Sequence, residues 1–218
     1  LQLDNNRVEQ IAPQSHRPLS ALPLLFWYQL ICGSIVFLAG ISVLAFRPRE
    51  KVTIYYALTG FGLMLASCSA AIYSTRELAM AGDLFYALSL INQLGTYLFI
   101  GPFISIPSYY PQLIHPFPLG PVLIGSYLLC WLLNLFQVYD SIDALMRYPV
   151  LVGLVLNLAL AITQWRLSQN QPVQRAILKW FLLAWLSGST LYVGLHTIPL
   201  MLHYNSVLGQ SLSWGILL

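Results

Sequence analysis

Seven predominantly apolar stretches follow one another along this chain, separated by short polar interruptions. They cover residues 22–46, 53–73, 84–109, 121–138, 149–165 and 180–202, and a seventh begins near residue 207 and is incomplete at residue 218. A helix needs about 20 apolar residues to cross a hydrocarbon core of about 30 Å. Lipid offers no partners to backbone N–H and C=O groups, so only structures that satisfy them internally can span it. The stretches are too long and too uniformly apolar for the alternating strands of a membrane barrel. They predict an all-α, polytopic transmembrane helix bundle over residues 22–218. Residues 1–21 are polar with charges of both signs and read as the end of an extracytoplasmic segment or domain. A first residue other than Met and an apolar last stretch predict an internal piece of a longer protein.

Composition agrees with that expectation, since 58% of the residues are hydrophobic and only 8% charged. Soluble domains carry about 25% charged residues. The net charge of +3 is small and dispersed, which argues against a nucleic-acid partner. Cys32, Cys68 and Cys130 lie inside apolar stretches, without a CxxC or Cys/His ligand spacing. They are expected to pack helices rather than hold a disulfide or a metal. There is no phosphate-binding GxxxxGK[ST], no HExxH, no GxSxG and no pair of carboxylates at catalytic spacing. No catalytic residue and no cofactor is therefore expected in this chain. His115, in "LIHPFP", lacks the neighbouring acid and base that a phosphoacceptor histidine would have.

The few charges are sorted. If the first stretch runs from outside to inside, the inner loops hold Arg47, Arg49, Lys51, Arg166, Arg175 and Lys179, with Glu50 as their only acid. The outer loops hold Glu77, Asp83, Asp140 and Asp143 against Arg76 and Arg147. Lys and Arg bias sets orientation in membranes. The N-terminal segment is thus expected outside and the C-terminal end in the cytoplasm, with the six inner bases acting as membrane-surface and topology residues. Within "WRLSQNQPVQRAILKW", Pro172 suits the first turn of a helix. Arg175 and Lys179 then share one face, with stems along lipid and charges among the headgroups.

No Asp, Glu, Lys or Arg falls in the middle of a stretch, although intramembrane charges usually mark ion or proton pathways. Neutral polar residues do occur there. At about 1.5 Å per residue, Gln29, Asn92, Gln93 and Asn157 come out roughly 10–15 Å from the outer ends, and Asn134 and His196 roughly 5–10 Å from the outer surface. One expectation is that several of the six line an outward-facing pocket for a small or lipid-like ligand. The other is that the amides bridge neighbouring helices. The small residues of "CGS" (32–34), "GFG" (60–62) and "SGS" (187–189) should let helices approach closely. Pro102 and Pro107 should bend the third stretch. Trp27, Trp165, Trp180, Tyr109 and Tyr110 sit near stretch ends, as interfacial aromatics do.

The segment "NQPVQRAILKWFLLAWLSGSTLYVGLHTIPLML" resembles the next-to-last span of the multi-span, seven-transmembrane-type input domains of bacterial sensor histidine kinases. The matching residues are Pro172, Arg175, Lys179, Trp180 and Pro199. "FRPREKVTIYYALTGFGLML" with "AAIYSTREL" is similar to the first pair of spans in a gammaproteobacterial subgroup that carries a small extracytoplasmic domain before the bundle. "SYYPQ" resembles a recurrent Tyr/Phe-Pro turn. The resemblance implies a sensory domain in the bacterial inner membrane, dimeric with a second copy of itself. Its last span would feed a cytoplasmic kinase module beyond residue 218, which would use ATP and Mg and pass phosphate to a response regulator of a two-component system. Membrane lipids would be its other partners. The alternative reading is a transporter or carrier of a neutral or lipid-like molecule, in which the polar residues form the access site. A membrane enzyme is disfavoured by the lack of buried acids, metal ligands or a nucleophile beside a base.

Overall fold

The computed structural model describes residues 22–74, 81–114, 118–138, 148–192 and 194. Among them are six helices and no strand: α1 (Leu24–Phe46), α2 (Lys51–Ser74), α3 (Gly82–Tyr109), α4 (Leu119–Leu135), α5 (Tyr148–Leu167) and α6 (Pro172–Tyr192). The first five follow the apolar stretches closely. The sixth begins at Pro172 rather than near residue 180, because the basic segment before the apolar stretch is itself helical. The expected seventh span, residues 1–21 and His196 lie outside the described residues.

Four helices, α1, α2, α3 and α5, are long and apolar enough to cross a membrane, and α4 is a shorter apolar helix. The bundle's burial pattern fits lipid rather than water. Ile31, Ile35 and Leu38 of α1 are exposed, while Gln29, Ser67, Gln93, Ser105, Asn157 and Gln164 are buried. A helix that is apolar all round is either in a large core or in a membrane. This bundle is a membrane protein, with these polar side chains turned inward.

α3 is the central element, packing on α2, α4 and α5; α1 packs mainly on α2, and α6 mainly on α5. The α1–α2 turn is closed by Thr53, whose hydroxyl lies 2.7 Å from the carbonyl oxygens of Arg47 and Glu50. The Arg47–Glu50 pair on that turn, at 3.2 Å, is solvent-facing and contributes little. Close approach dominates the α2–α3 contact. A Cβ on Gly62 would stand 2.3 Å from the backbone N of Phe99, and one on Gly95 would stand 2.4 Å from that of Ala66. The small residues of "CGS" and "GFG" also serve the α1–α2 contact, with Gly33 against Ser67 and Gly60 against the Val36 carbonyl. Of "SGS", Ser187 is exposed and its hydroxyl donates to the carbonyl of Leu183 in its own helix. The apolar core lies between α3 and α4, where Tyr97, Ile100, Ile104 and Tyr127 cluster with Leu156 and Leu160 of α5 packed against them. Cys130 packs against the same cluster, and none of the three cysteines forms a disulfide.

Candidate functional site

Two prolines four residues apart decide where polar groups are needed in this bundle. Pro107 lacks the N–H that would pair with the carbonyl of Phe103, and Pro111 lacks the one that would pair with the carbonyl of Pro107. Each orphaned carbonyl inside lipid would cost several kcal/mol. The neighbouring helix supplies both donors. Asn157 Nδ2 donates to the Phe103 carbonyl at 3.1 Å, and Gln164 Nε2 donates to the Pro107 carbonyl at 2.7 Å and also to that of Gln112. Asn157 and Gln164 are seven residues apart on α5, two helical turns, so they share the face turned to α3. Both are completely buried. Their acceptor atoms, Asn157 Oδ1 and Gln164 Oε1, have no partner among the described residues, and neither does Ser168 Oγ.

The other polar positions are used differently. Asn134 Nδ2 donates to Gln93 Oε1, tying α4 to α3. Trp131 Nε1 adds a second tie, to the carbonyl of Leu90 at 3.0 Å. Asn92 Nδ2 donates to the Ala66 carbonyl at 2.8 Å, tying α3 to α2. Gln29 is buried on α1 with Oε1 unpartnered among the described residues. The structure thus brings Gln93 and Asn134 together, with Asn92 adjacent, and keeps Asn157 apart. Phe103 lies ten residues beyond Gln93 on α3, about 15 Å along the helix. Asn157 therefore does not share their layer. Counting from the helix ends misplaces it because α3 has 21 residues before Phe103 and α5 only nine before Asn157. The described amides bond mostly to neighbouring helices.

The basic residues converge. Arg47, Arg49 and Lys51 sit at the α1–α2 turn, and Lys51 lines the same cavity as Tyr109 at the end of α3. Gln164 fixes the end of α5 beside the end of α3. The guanidinium of Arg175 stands 4.9 Å from the ring centre of Trp165, a cation–π contact that folds the start of α6 onto the end of α5. Gln112 Nε2 reaches Gln174 Oε1 at 3.4 Å across the same junction. Arg166 and Lys179 flank it, so all six bases lie at one end of the bundle.

Sequence reasoning missed Gln164, Gln112 and the Tyr55–Tyr109 pair. The available signal for Gln164 was the spacing of Pro107 and Pro111, which orphans two carbonyls a turn apart. At the basic end, a cavity of about 330 Å³ is lined by Lys51, Ile54, Tyr55, Tyr109, Leu113, Pro118 and Pro121. No group of three or more His, Cys, Asp or Glu side chains suited to a metal ion occurs among the described residues. No protein-family model matches the chain, and no match was found among curated proteins or solved structures.

Proposed function

We propose that this chain is the membrane-embedded sensory domain of a bacterial two-component sensor histidine kinase, passing an extracytoplasmic or membrane stimulus to a cytoplasmic kinase module beyond residue 218. The observation that carries this reading is the contrast in how the helices are joined. α1, α2 and α3 meet through glycines with backbones in near contact. α5 is held to α3 by side-chain amides on two carbonyls, and α6 packs mainly on α5. An α5–α6 unit joined to α3 through side chains, the amides together with Leu156 and Leu160, can shift against an α1–α3 block without breaking backbone packing. Such a shift transmits a signal when the stimulus binds the two arrangements with different affinity. A coupling of about 1–3 kcal/mol is sufficient.

The convergence of all six bases at one end supports a cytoplasmic placement of that end by charge bias. The resemblance in "NQPVQRAILKW" supports the kinase assignment. A seventh helix would then leave toward the cytoplasm and end in a dimeric kinase module using ATP and Mg, with a response regulator as its phosphate acceptor.

The test uses membranes containing the full-length protein, supplied with radiolabelled ATP and Mg. Phosphate incorporation on a histidine is expected, and the double variant Arg175→Gln, Lys179→Gln should change its level or the topology of the protein while leaving insertion intact. A full-length protein that incorporates no phosphate sinks the kinase reading. A double variant that inserts and signals like the parent removes the basic face from the mechanism.

A further inference from the structure

The cavity at the basic end has an unusual lining for so apolar a chain. Among the described residues its one charged group is Lys51, at the start of α2. No carboxylate of the described residues lines it, and the adjacent Glu50 is engaged with Arg47 at 3.2 Å. Tyr55 and Tyr109 form one wall, their rings stacked at 5.2 Å. The wall is held open by Gly120, whose backbone N–H donates to the Tyr109 hydroxyl at 3.4 Å. A Cβ at Gly120 would stand 2.4 Å from the Tyr55 hydroxyl oxygen. The remaining lining, including Ile54, Leu113 and Pro118, is apolar, and Ile54 and Leu113 are exposed on the bundle surface. A volume of about 330 Å³ is within the range of small-molecule sites, about 300–1,000 Å³.

We infer that this cavity binds a phosphate ester anion, in the form of an anionic phospholipid headgroup, with Lys51 facing the phosphate, the Tyr109 hydroxyl serving as a donor, and the acyl chains leaving over Ile54 and Leu113. The position supports a lipid source. The cavity lies where α2 begins and α3 ends, the level at which membrane-crossing helices meet headgroups and lysine stems lie along lipid. One positive charge among phenols and apolar side chains complements a molecule with one negative charge and an apolar body. A zwitterionic headgroup would carry its own cation toward Lys51 and be disfavoured. This site is independent of the kinase reading, since it requires only the cavity.

The experiment places the full chain in nanodiscs containing either phosphatidylglycerol or phosphatidylcholine and counts lipids retained by native mass spectrometry after transfer to detergent. The expected result is retained phosphatidylglycerol and no retained phosphatidylcholine. Lys51→Gln should lower retention about five-fold, the factor corresponding to one charge at an anionic surface. Ile54→Trp, which fills the cavity from an exposed position, should lower it similarly while leaving the helices folded by circular dichroism. Arg49→Gln, an equal loss of charge two residues away, should lower retention clearly less than Lys51→Gln does. A parallel arm supplies inorganic phosphate to protein in phosphatidylcholine; saturable binding lost in Lys51→Gln would keep the site and assign it to soluble phosphate. Equal losses in Lys51→Gln and Arg49→Gln would reduce the effect to diffuse surface charge and overturn the proposal. So would Ile54→Trp retaining lipid like the parent.

Discussion

The contacts of α3 with α2 and with α5 differ in what dominates them. Toward α2, side chains are removed so that backbones meet, as at Gly62 and Gly95. Toward α5, long amide side chains are added, and they reach into a helix whose own hydrogen bonding has been interrupted by proline. The first contact has little room to adjust at these glycines, where backbone meets backbone. The second depends on side-chain donors with rotatable bonds, and each amide keeps an unpartnered oxygen among the described residues. In a membrane, where apolar packing brings no hydrophobic gain between helices, these two devices account for much of what holds neighbours together. The comparison shows one central helix divided between a fixed side and an adjustable side.

The largest effect should come from closing the fixed side. Gly62→Val places atoms on the Phe99 and Leu98 backbone, within 2.5 Å, and forces α2 and α3 apart. Overpacking of this kind costs about 1–3 kcal/mol, and more where backbone must move. Unfolding in mixed detergent with increasing dodecyl sulfate should show the upper end of that range or no folded protein at all. A variant as stable as the parent would mean that the contact is looser than its geometry. On the adjustable side, Gln164→Leu removes the donor from a carbonyl that Pro111 cannot serve, and a loss of about 1–2 kcal/mol is expected in the same assay. The logic is sharpened by a cycle between Asn157→Leu and Pro107→Ala. Restoring the N–H at residue 107 supplies Phe103 from within its own helix, so Asn157→Leu should cost about 0.6 kcal/mol or more in the parent and nearly nothing beside Pro107→Ala. Additive losses would show that Asn157 is not there for the orphaned carbonyl. The smallest effect belongs to the surface. Arg175→Lys weakens the stacking on Trp165, worth about 0.5–1 kcal/mol at an exposed site, and should appear only as faster backbone amide exchange at the start of α6.

Much of the architecture was legible because apolar length is a strong and local property. The boundaries of α1 to α5 agree with the apolar stretches to within three residues. Convergence of the bases was legible for the same reason, since alternate loops of a bundle must share a side. The start of α6 was legible from Pro172, although the helix carries its charged turn without interruption into the apolar stretch. The arrangement of the amides was not legible. Depth along one helix says nothing about where its neighbour begins, and α3 and α5 are not flush. Gln164 was passed over because it stands beside Trp165 and Arg166, where a polar residue is ordinary at an interface. Only the pairing of helices reveals that it serves Pro107. The cavity at the basic end depends on three separate helix ends, α2, α3 and α4, meeting around Gly120, and no periodicity within one segment encodes that meeting.

The ties between α3 and α4 have a mechanical consequence. α3 has 28 residues and α4 has 17, so their lengths are about 42 Å and about 26 Å. The Gln93–Asn134 and Leu90–Trp131 bonds hold this long rod and short rod in fixed alignment. A bilayer with a hydrocarbon core of about 30 Å is matched by neither. It must tilt the one or thin around the other, at a cost of fractions of a kcal/mol per Å. Sliding the rods past one another would break both bonds, so a change in bilayer thickness would load the two helices as a pair.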